Sequence, residues 1–367
     1  MKNIPLMKPY ITEEVKRKVN EVLDSGMLTE GNVTRELEAQ FQAYVGCNRV
    51  LAVTSCTTGL EMALRALGVG PGDEVIVPDY TYPATADVVA IVGAKTVIVD
   101  VSEKNMLIDY EAMERAVTPR TKAVIPVSLF GNPLDADKLS AFRSRCGVPI
   151  IEDAACSIGA EFRGRKVGAL ADISVFSLHP RKFITTGEGG IVTTDSHAFA
   201  DWMDSYKHFG MGKSVERVSV SFERIGTNYK LSNILAAVGV VQMRHVETLL
   251  ARRRELAANY ASMLEKMPGV KMPSVVANGK HSHQSFCLFI ENRNEVMAKM
   301  REKGIEVQIG TYSLHMHKAF AEHPDVVIAG EMSGSKYAFE HCLALPLYHE
   351  LTVTDQARVV EELGKLL

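Results

Sequence analysis

One lysine carries the first hint of chemistry. Lys182 lies in the run Ser177-Leu-His-Pro-Arg-Lys182-Phe-Ile-Thr-Thr-Gly187-Glu-Gly-Gly190, which is largely apolar, small and loop-forming. The run follows strand-like residues 173–176, and its glycines lead into strand-like residues 191–194. A lysine at such a junction can lose solvation and work as an amine nucleophile, for instance as a Schiff base with an aldehyde. A solvated surface lysine is the competing explanation. The sharper one needs company: an anion cradle, a buried acid and an aromatic lid.

Each has a candidate. Strand-like residues 50–53 feed Thr54-Ser-Cys-Thr-Thr-Gly-Leu60 and a helix over 57–67, so Cys56 and Thr57 present free N–H groups where an anion could sit. An ordinary Ser/Thr cap explains the same residues equally well. No GxGxxG or Walker pattern is present. Asp153 directly follows Ile150-Ile151-Glu152, where a buried strand ends, and a buried acid must be paired or neutralised. An N-cap role is the alternative. Tyr82, in a proline-bracketed loop, could lay its ring on a flat ligand or pack on the helix over 84–92.

The elements that must position these residues alternate. Strands over 74–77, 96–99, 123–127 and 149–151 are separated by helices over 84–92, 110–117 and 136–146. Such alternation predicts an α/β fold with a mostly parallel sheet and helices on both faces. Sites in these sheets lie beyond the carboxyl ends of the strands, where residues 78–82, 152–153 and the Lys182 run would meet. Helices over 12–24 and 34–45 precede this core, with residues 28–31 as the loop between them. After it come a helix over 198–206, a long, poorly periodic segment over 207–229 and one long helix over 234–265. That helix turns from small and apolar to heavily charged, which suggests a passage out of the core into a second domain. The expected division is a large domain over 1–250, its N-terminal segment packing near the other, and a smaller α+β domain over 251–367.

Composition narrows the class. With 41 basic against 44 acidic side chains the net charge is −3, which leaves no nucleic-acid footprint. No apolar run approaches the roughly 20 residues that span a bilayer, and residues 1–7 lack the apolar core of a signal peptide. The six cysteines show no CxxC spacing, which argues against a zinc site or disulfide frame, and a cytoplasmic location is the default expectation. Two His-x-His pairs, 281/283 and 315/317, have no carboxylate or cysteine at ligand spacing, so no metal is expected.

Taken together, Gly70-Pro-Gly-Asp-Glu-Val-Ile-Val-Pro78, Glu152-Asp-Ala-Ala155, the stretch 176–190, the stretch 226–239 and Leu345-Pro-Leu347 resemble the DegT/DnrJ-type sugar aminotransferases. These are a branch of the fold type I pyridoxal-phosphate enzymes, and the similarity runs over nearly the whole chain. The phrase Thr185-Thr-Gly-Glu-Gly-Gly190 behind Ser-x-His-x-x-Lys is its most specific part. The resemblance implies pyridoxal 5′-phosphate as cofactor, with Lys182 as its amine partner and proton shuttle and Asp153 on the pyridine nitrogen. Cys56, Thr57 and Ser177 would bind the phosphate, and the Tyr82 ring would stack on the pyridine. Asn228 would reach the neighbouring subunit's cofactor, implying a homodimer with shared sites. Lys230, with Thr29, Tyr312 and His315, would face the substrate. The implied partners are L-glutamate and a nucleotide-linked keto sugar, with a lean toward a 4-keto-6-deoxy hexose. Related sugar dehydratases carry His in place of the lysine; a non-catalytic regulatory member is another alternative. Two positions depart from the pattern: Cys156 stands where Gln or His meets the cofactor's 3′-oxygen, and Arg181 replaces a smaller residue.

Overall fold

The computed structural model of the protein describes residues 3–212 and 221–367. The first two residues and the middle of the expected 207–229 segment lie outside them.

Eight strands build the main sheet: β1 (Arg49–Val53), β2 (Glu74–Pro78), β3 (Lys95–Val99), β4 (Thr121–Val124), β5 (Ile151–Asp153), β6 (Ile173–Ser177), β7 (Gly190–Thr194) and β8 (Val326–Ile328). They form two four-stranded runs, β1-β7-β6-β5 and β4-β2-β3-β8. Parallel bridges from Val124 to Ile150 and from Val127 to Asp153 join the runs at β4 and β5. The strand β7 is antiparallel to both its neighbours, and every other pairing is parallel. The strands β2, β6 and β7 are buried at every position, as sheets covered on both faces require.

The first four helices in the chain are α1 (Glu13–Ser25), α2 (Asn32–Val45), α3 (Cys56–Ala66) and α4 (Ala84–Ile91). Ser55 caps α3, its hydroxyl accepting from Thr58 N while the Thr58 hydroxyl accepts from Ser55 N. The helix lies close to the sheet because Gly59 faces it; a Cβ there would stand 2.6 Å from Val175 Cγ1 and 3.1 Å from Val192 Cγ2.

One expectation is corrected. The single helix over 234–265 is two, Asn233–Arg244 and Val246–Leu264, bent by 64° at His245. The bend serves two cores: Val246, Leu249 and Leu250 pack with α2 and β7 residues, whereas Leu256, Ala257, Tyr260 and Leu264 pack with Leu288, Leu343 and Val359. The N-terminal Ile4 joins that second core and bridges to Ile305. One strand crosses the expected division at residue 250, since β8 comes from the C-terminal third and pairs with β3. Composition could not reveal this, because β8 is short and its middle and last residues are exposed. No single helix among the described residues is long and apolar enough to cross a membrane.

The tight seat of α3 gives a first prediction. Gly59→Val forces a branched side chain against Val175 and Val192 and should lower stability by about 1–3 kcal/mol, read from urea unfolding. An unchanged midpoint would mean that α3 is not held against the sheet at this point.

Candidate active site

The carboxyl ends of β1, β2, β5 and β6 face one side of the sheet, and the expected residues collect there. Asp153 ends β5 and is 5% exposed. Its Oδ2 accepts from the Thr85 hydroxyl of α4 at 2.8 Å, and its Oδ1 accepts from Ala155 N at 3.1 Å. Thr85 is in turn paired with the Thr81 hydroxyl at 2.9 Å. Burial pushes the Asp153 carboxyl above its ordinary range, and the Thr85 and Ala155 bonds with the nearby Lys182 charge pull it back only in part. No cationic side chain forms an ion pair with Asp153 among the described residues. Glu152 points to the opposite face, where the Ser128 and Ser174 hydroxyls donate to it.

Lys182 arrives from the loop after β6. Its Nζ donates to Cys156 Sγ at 3.0 Å, and Cys156 lies three residues beyond Asp153. Burial alone would lower this amine's pKa, but Cys156, Cys56 and Asp153 around it leave it above the ordinary lysine value. Cys56 Sγ reaches 4.0 Å from Asp153 Oδ1 and 3.6 Å from Val175 O. Two thiols, one carboxylate and one amine thus share a pocket.

The loop that carries Lys182 is pinned from both sides. Gln242 accepts from Thr185 N at 2.7 Å; Gln284 accepts from Phe183 N at 3.2 Å and donates to Arg181 O at 2.6 Å. Gly187 holds φ of 91°, a conformation that other residues resist, so the reversal into β7 needs glycine there. Gly190 pairs with Ser177 across β7 and β6 and abuts the start of α3, where a Cβ would meet Ser55 C at 2.6 Å and Cys56 N at 2.7 Å. The Ser177 hydroxyl, the Cys56 and Thr57 amides and this bare glycine therefore line one concave corner. It suits an anion: α3 supplies unpaired N–H groups and the positive end of its dipole.

Not every expected residue is part of this group. Tyr82 is 66% exposed and its ring lies 6.3 Å from that of Tyr312, brought there by antiparallel pairing of Tyr312 with Thr81. His315 is engaged elsewhere. Its Nδ1 and Asp79 Oδ2 are 2.6 Å apart, and its backbone N donates to Asp79 Oδ1 at 2.7 Å. Thr29, Asn228 and Lys230 sit at the β1 edge, where Lys230 donates to Asn228 and Thr29 O accepts from Asn233 N. None of these three contacts Lys182 or Asp153 within the chain. His281 and His283 stack on each other at 4.1 Å between ring centroids.

Sequence reasoning missed Thr85, Gln242, Gln284 and Asp79. No local signal marks them, because each acts on a backbone or side chain tens to hundreds of residues away.

A model of the DegT/DnrJ/EryC1/StrS aminotransferase family matches residues 9–364. Among solved structures, the chain is similar to S. venezuelae DesV at 31% identity and a TM-score of 0.92, covering 100% of this chain and 99% of that one. It is similar to the aminotransferase TlmJ from Streptoalloteichus hindustanus at 28% identity and a TM-score of 0.93, over 99% and 98% of the two chains. A third is Spr1654 from Streptococcus pneumoniae, solved in its PLP form, at 27% identity and a TM-score of 0.92 over 100% and 98%.

The uncompensated carboxylate has a measurable cost. Because the folded-state pKa of Asp153 is raised, the folded chain binds this proton more tightly, and stability falls as pH rises through the folded pKa. Asp153→Asn should therefore raise the Tm of the cofactor-free chain by a few degrees at neutral pH, with the gain vanishing below about pH 4. Calorimetry across pH checks this; an equal or lower Tm at neutral pH means that Asp153 is already compensated.

Proposed function

The chain belongs to the DegT/DnrJ/EryC1/StrS aminotransferase family and is a pyridoxal-phosphate-dependent sugar aminotransferase, and on that premise we propose that it moves the amino group of L-glutamate to a nucleotide-linked keto sugar, a 4-keto-6-deoxy hexose. The reading rests above all on one observation: a buried Asp153 that forms no ion pair among the described residues, near Lys182 and beyond the open start of α3.

The residues present fit the cofactor. The corner of Cys56 N, Thr57 N and Ser177 would hold its phosphate and Asp153 its ring nitrogen, while the exposed Tyr82 would have to turn its ring onto a face of the pyridine. Bound there, pyridoxal 5′-phosphate supplies an aldehyde for amines and a ring that accepts the electrons released at the carbon bearing nitrogen. The protein supplies the rest. Asp153, kept from water and braced by Thr85, keeps a proton on the ring nitrogen and so preserves the electron demand of the ring. Lys182 contributes an amine fixed at the end of β5, which can take a proton from one carbon and return it to another. Its loop, pinned by Gln242 and Gln284, keeps that amine from swinging into solvent. Lys182 at this position also argues against the dehydratase alternative, which relies on His.

The exposed apolar surface supports a homodimer. Ile225 is 97% exposed, Met27 68% and Phe222 65%, and they lie in the loops that carry Asn228, Lys230 and Thr29. A second copy covering them would bring Asn228 toward the partner's phosphate corner.

Two substitutions test these roles. Lys182→Ala should cut glutamate-dependent amination at least ~100-fold while the phosphate corner still retains cofactor. The assay is mass spectrometry of products from a panel of nucleotide keto sugars; substantial remaining turnover would overturn the role of Lys182, and amination of 3-keto sugars alone would overturn the acceptor. Asn228→Ala should weaken cofactor retention about tenfold, the order expected for one hydrogen bond to a charged group. Equilibrium dialysis reads this, and unchanged retention removes the shared-site reading.

A further inference from the structure

Cys156 occupies the position where the family resemblance implies a Gln or His directed at the cofactor. Its sulfur is directed at Lys182 Nζ instead, 3.0 Å away. We propose that Cys156 is a positioning residue for Lys182: its sulfur accepts the hydrogen bond of the amine whenever that amine is free and holds Nζ at the end of β5. This rests on the pyridoxal-phosphate reading of the pocket.

The geometry leaves the amine few other partners. Asp153 is the nearest carboxylate, but its oxygens already accept from Thr85 and Ala155. Cys56 lies across the pocket, with its sulfur turned to Asp153 and Val175 O. On the loop itself, His179 Nδ1 accepts from Arg181 N, and Arg181 points to solvent. Burial disfavours the ammonium; Cys156 is the largest of the opposing influences, ahead of Cys56 and Asp153. Burial lowers the His179 pKa, with Glu188 opposing and the Lys182 and Arg181 charges adding to the shift, so this ring brings no cation to the amine. Cys156 is itself held, since its carbonyl lies 3.5 Å from the donating Ser282 hydroxyl. Sulfur is a weak acceptor, suited to a group that must release the amine when an aldehyde arrives. The residue therefore sets the pH at which Lys182 becomes a nucleophile.

The experiment measures the amine directly. Full-length chain stripped of cofactor is labelled with trace acetic anhydride across neutral to alkaline pH, and the Lys182 peptide is quantified by mass spectrometry. Cys156→Ala should move the labelling midpoint of Lys182 down by about one pH unit, a tenfold rise in free amine at a given lower pH. Cys156→Ser, which keeps an acceptor, should stay within about 0.3 unit of wild type. Cys156→Val fills the space without an acceptor and replaces the Ala variant if that chain fails to fold. Coincident midpoints in wild type and the acceptor-free variant, or a Ser variant that falls with it, would overturn the proposal. A separate control adds pyridoxal phosphate and borohydride to wild type. Lack of a reduced adduct on Lys182 would sink the cofactor reading of this lysine while leaving the labelling result to stand by itself.

Discussion

A carboxylate buried at the end of a central strand is the constraint that orders the rest of this molecule. Asp153 loses nearly all its water and, among the described residues, gains only the Thr85 hydroxyl, Ala155 N and the distant Cys56 thiol as donors, none of them charged. Such a group is costly unless something positive meets it. Its surroundings are arranged to tolerate it: Thr85 leans from α4, itself steadied by Thr81, and β5 delivers the acid between two parallel neighbours. The chain thus keeps a specific electrostatic demand in its interior. That demand matches a protonated ring nitrogen, and nearby elements shape the other ends of the same ligand site.

A second buried carboxylate makes the pocket mouth possible. Asp79, completely buried beyond β2, accepts from the Ser313 hydroxyl at 2.8 Å, from the Ser335 hydroxyl and from His315 N. All three partners come from the C-terminal third. The clasp fixes the segment that pairs Tyr312 with Thr81, so the aromatic pair Tyr82–Tyr312 stands where the strand after β2 meets the C-terminal third of the chain. Gly310 lets this joint close; a Cβ there would lie 2.5 Å from the Tyr80 hydroxyl oxygen and 2.7 Å from Cys342 Sγ. His315 is therefore a structural member of the joint through Nδ1, whatever its other nitrogen meets.

The range of each interaction decided whether the sequence revealed it or hid it. The strands of the sheet were legible because burial on both faces writes continuous apolar runs such as those around β2 and β6. Asp153 was legible because it ends such a run, and Lys182 because the glycine-bearing stretch that follows another run carries it. Thr85 was hidden, since a threonine at the start of a helix reads as ordinary, and its partner is 68 residues away. Asp79 was hidden more deeply, its partners lying up to 256 residues distant. The break at His245 carries neither Pro nor Gly, so periodicity ran across it. Cys156 was visible as a departure, but only the folded chain could show its sulfur meeting Lys182.

Long-range pairing also explains why Asn228 and Lys230 are fixed even though they lie at an edge. Beneath them Lys207 is 1% exposed, its ammonium 3.2 Å from Glu30, 3.5 Å from Glu38 and 3.6 Å from Asp204. Burial opposes its charge, and Glu38, Glu30 and Asp204 more than offset that. Glu38 also accepts from Ala52 N of β1, and Glu30 meets His208 at 3.1 Å. The loop before α2, α2 itself, β1 and the helix His197–Lys207 thus converge on one cation. The returning chain is tied to this platform: Tyr229 N donates to Lys207 O, and Tyr229 O accepts from Thr54 N. Thr54 leads directly into the capped start of α3. Residues 228–230 are consequently braced against the same strand end that opens the phosphate corner, yet Asn228 faces outward. A side chain held in this way and turned from its own pocket is what the proposed homodimer would use, and it links the charged platform and the exposed apolar loops to that proposal.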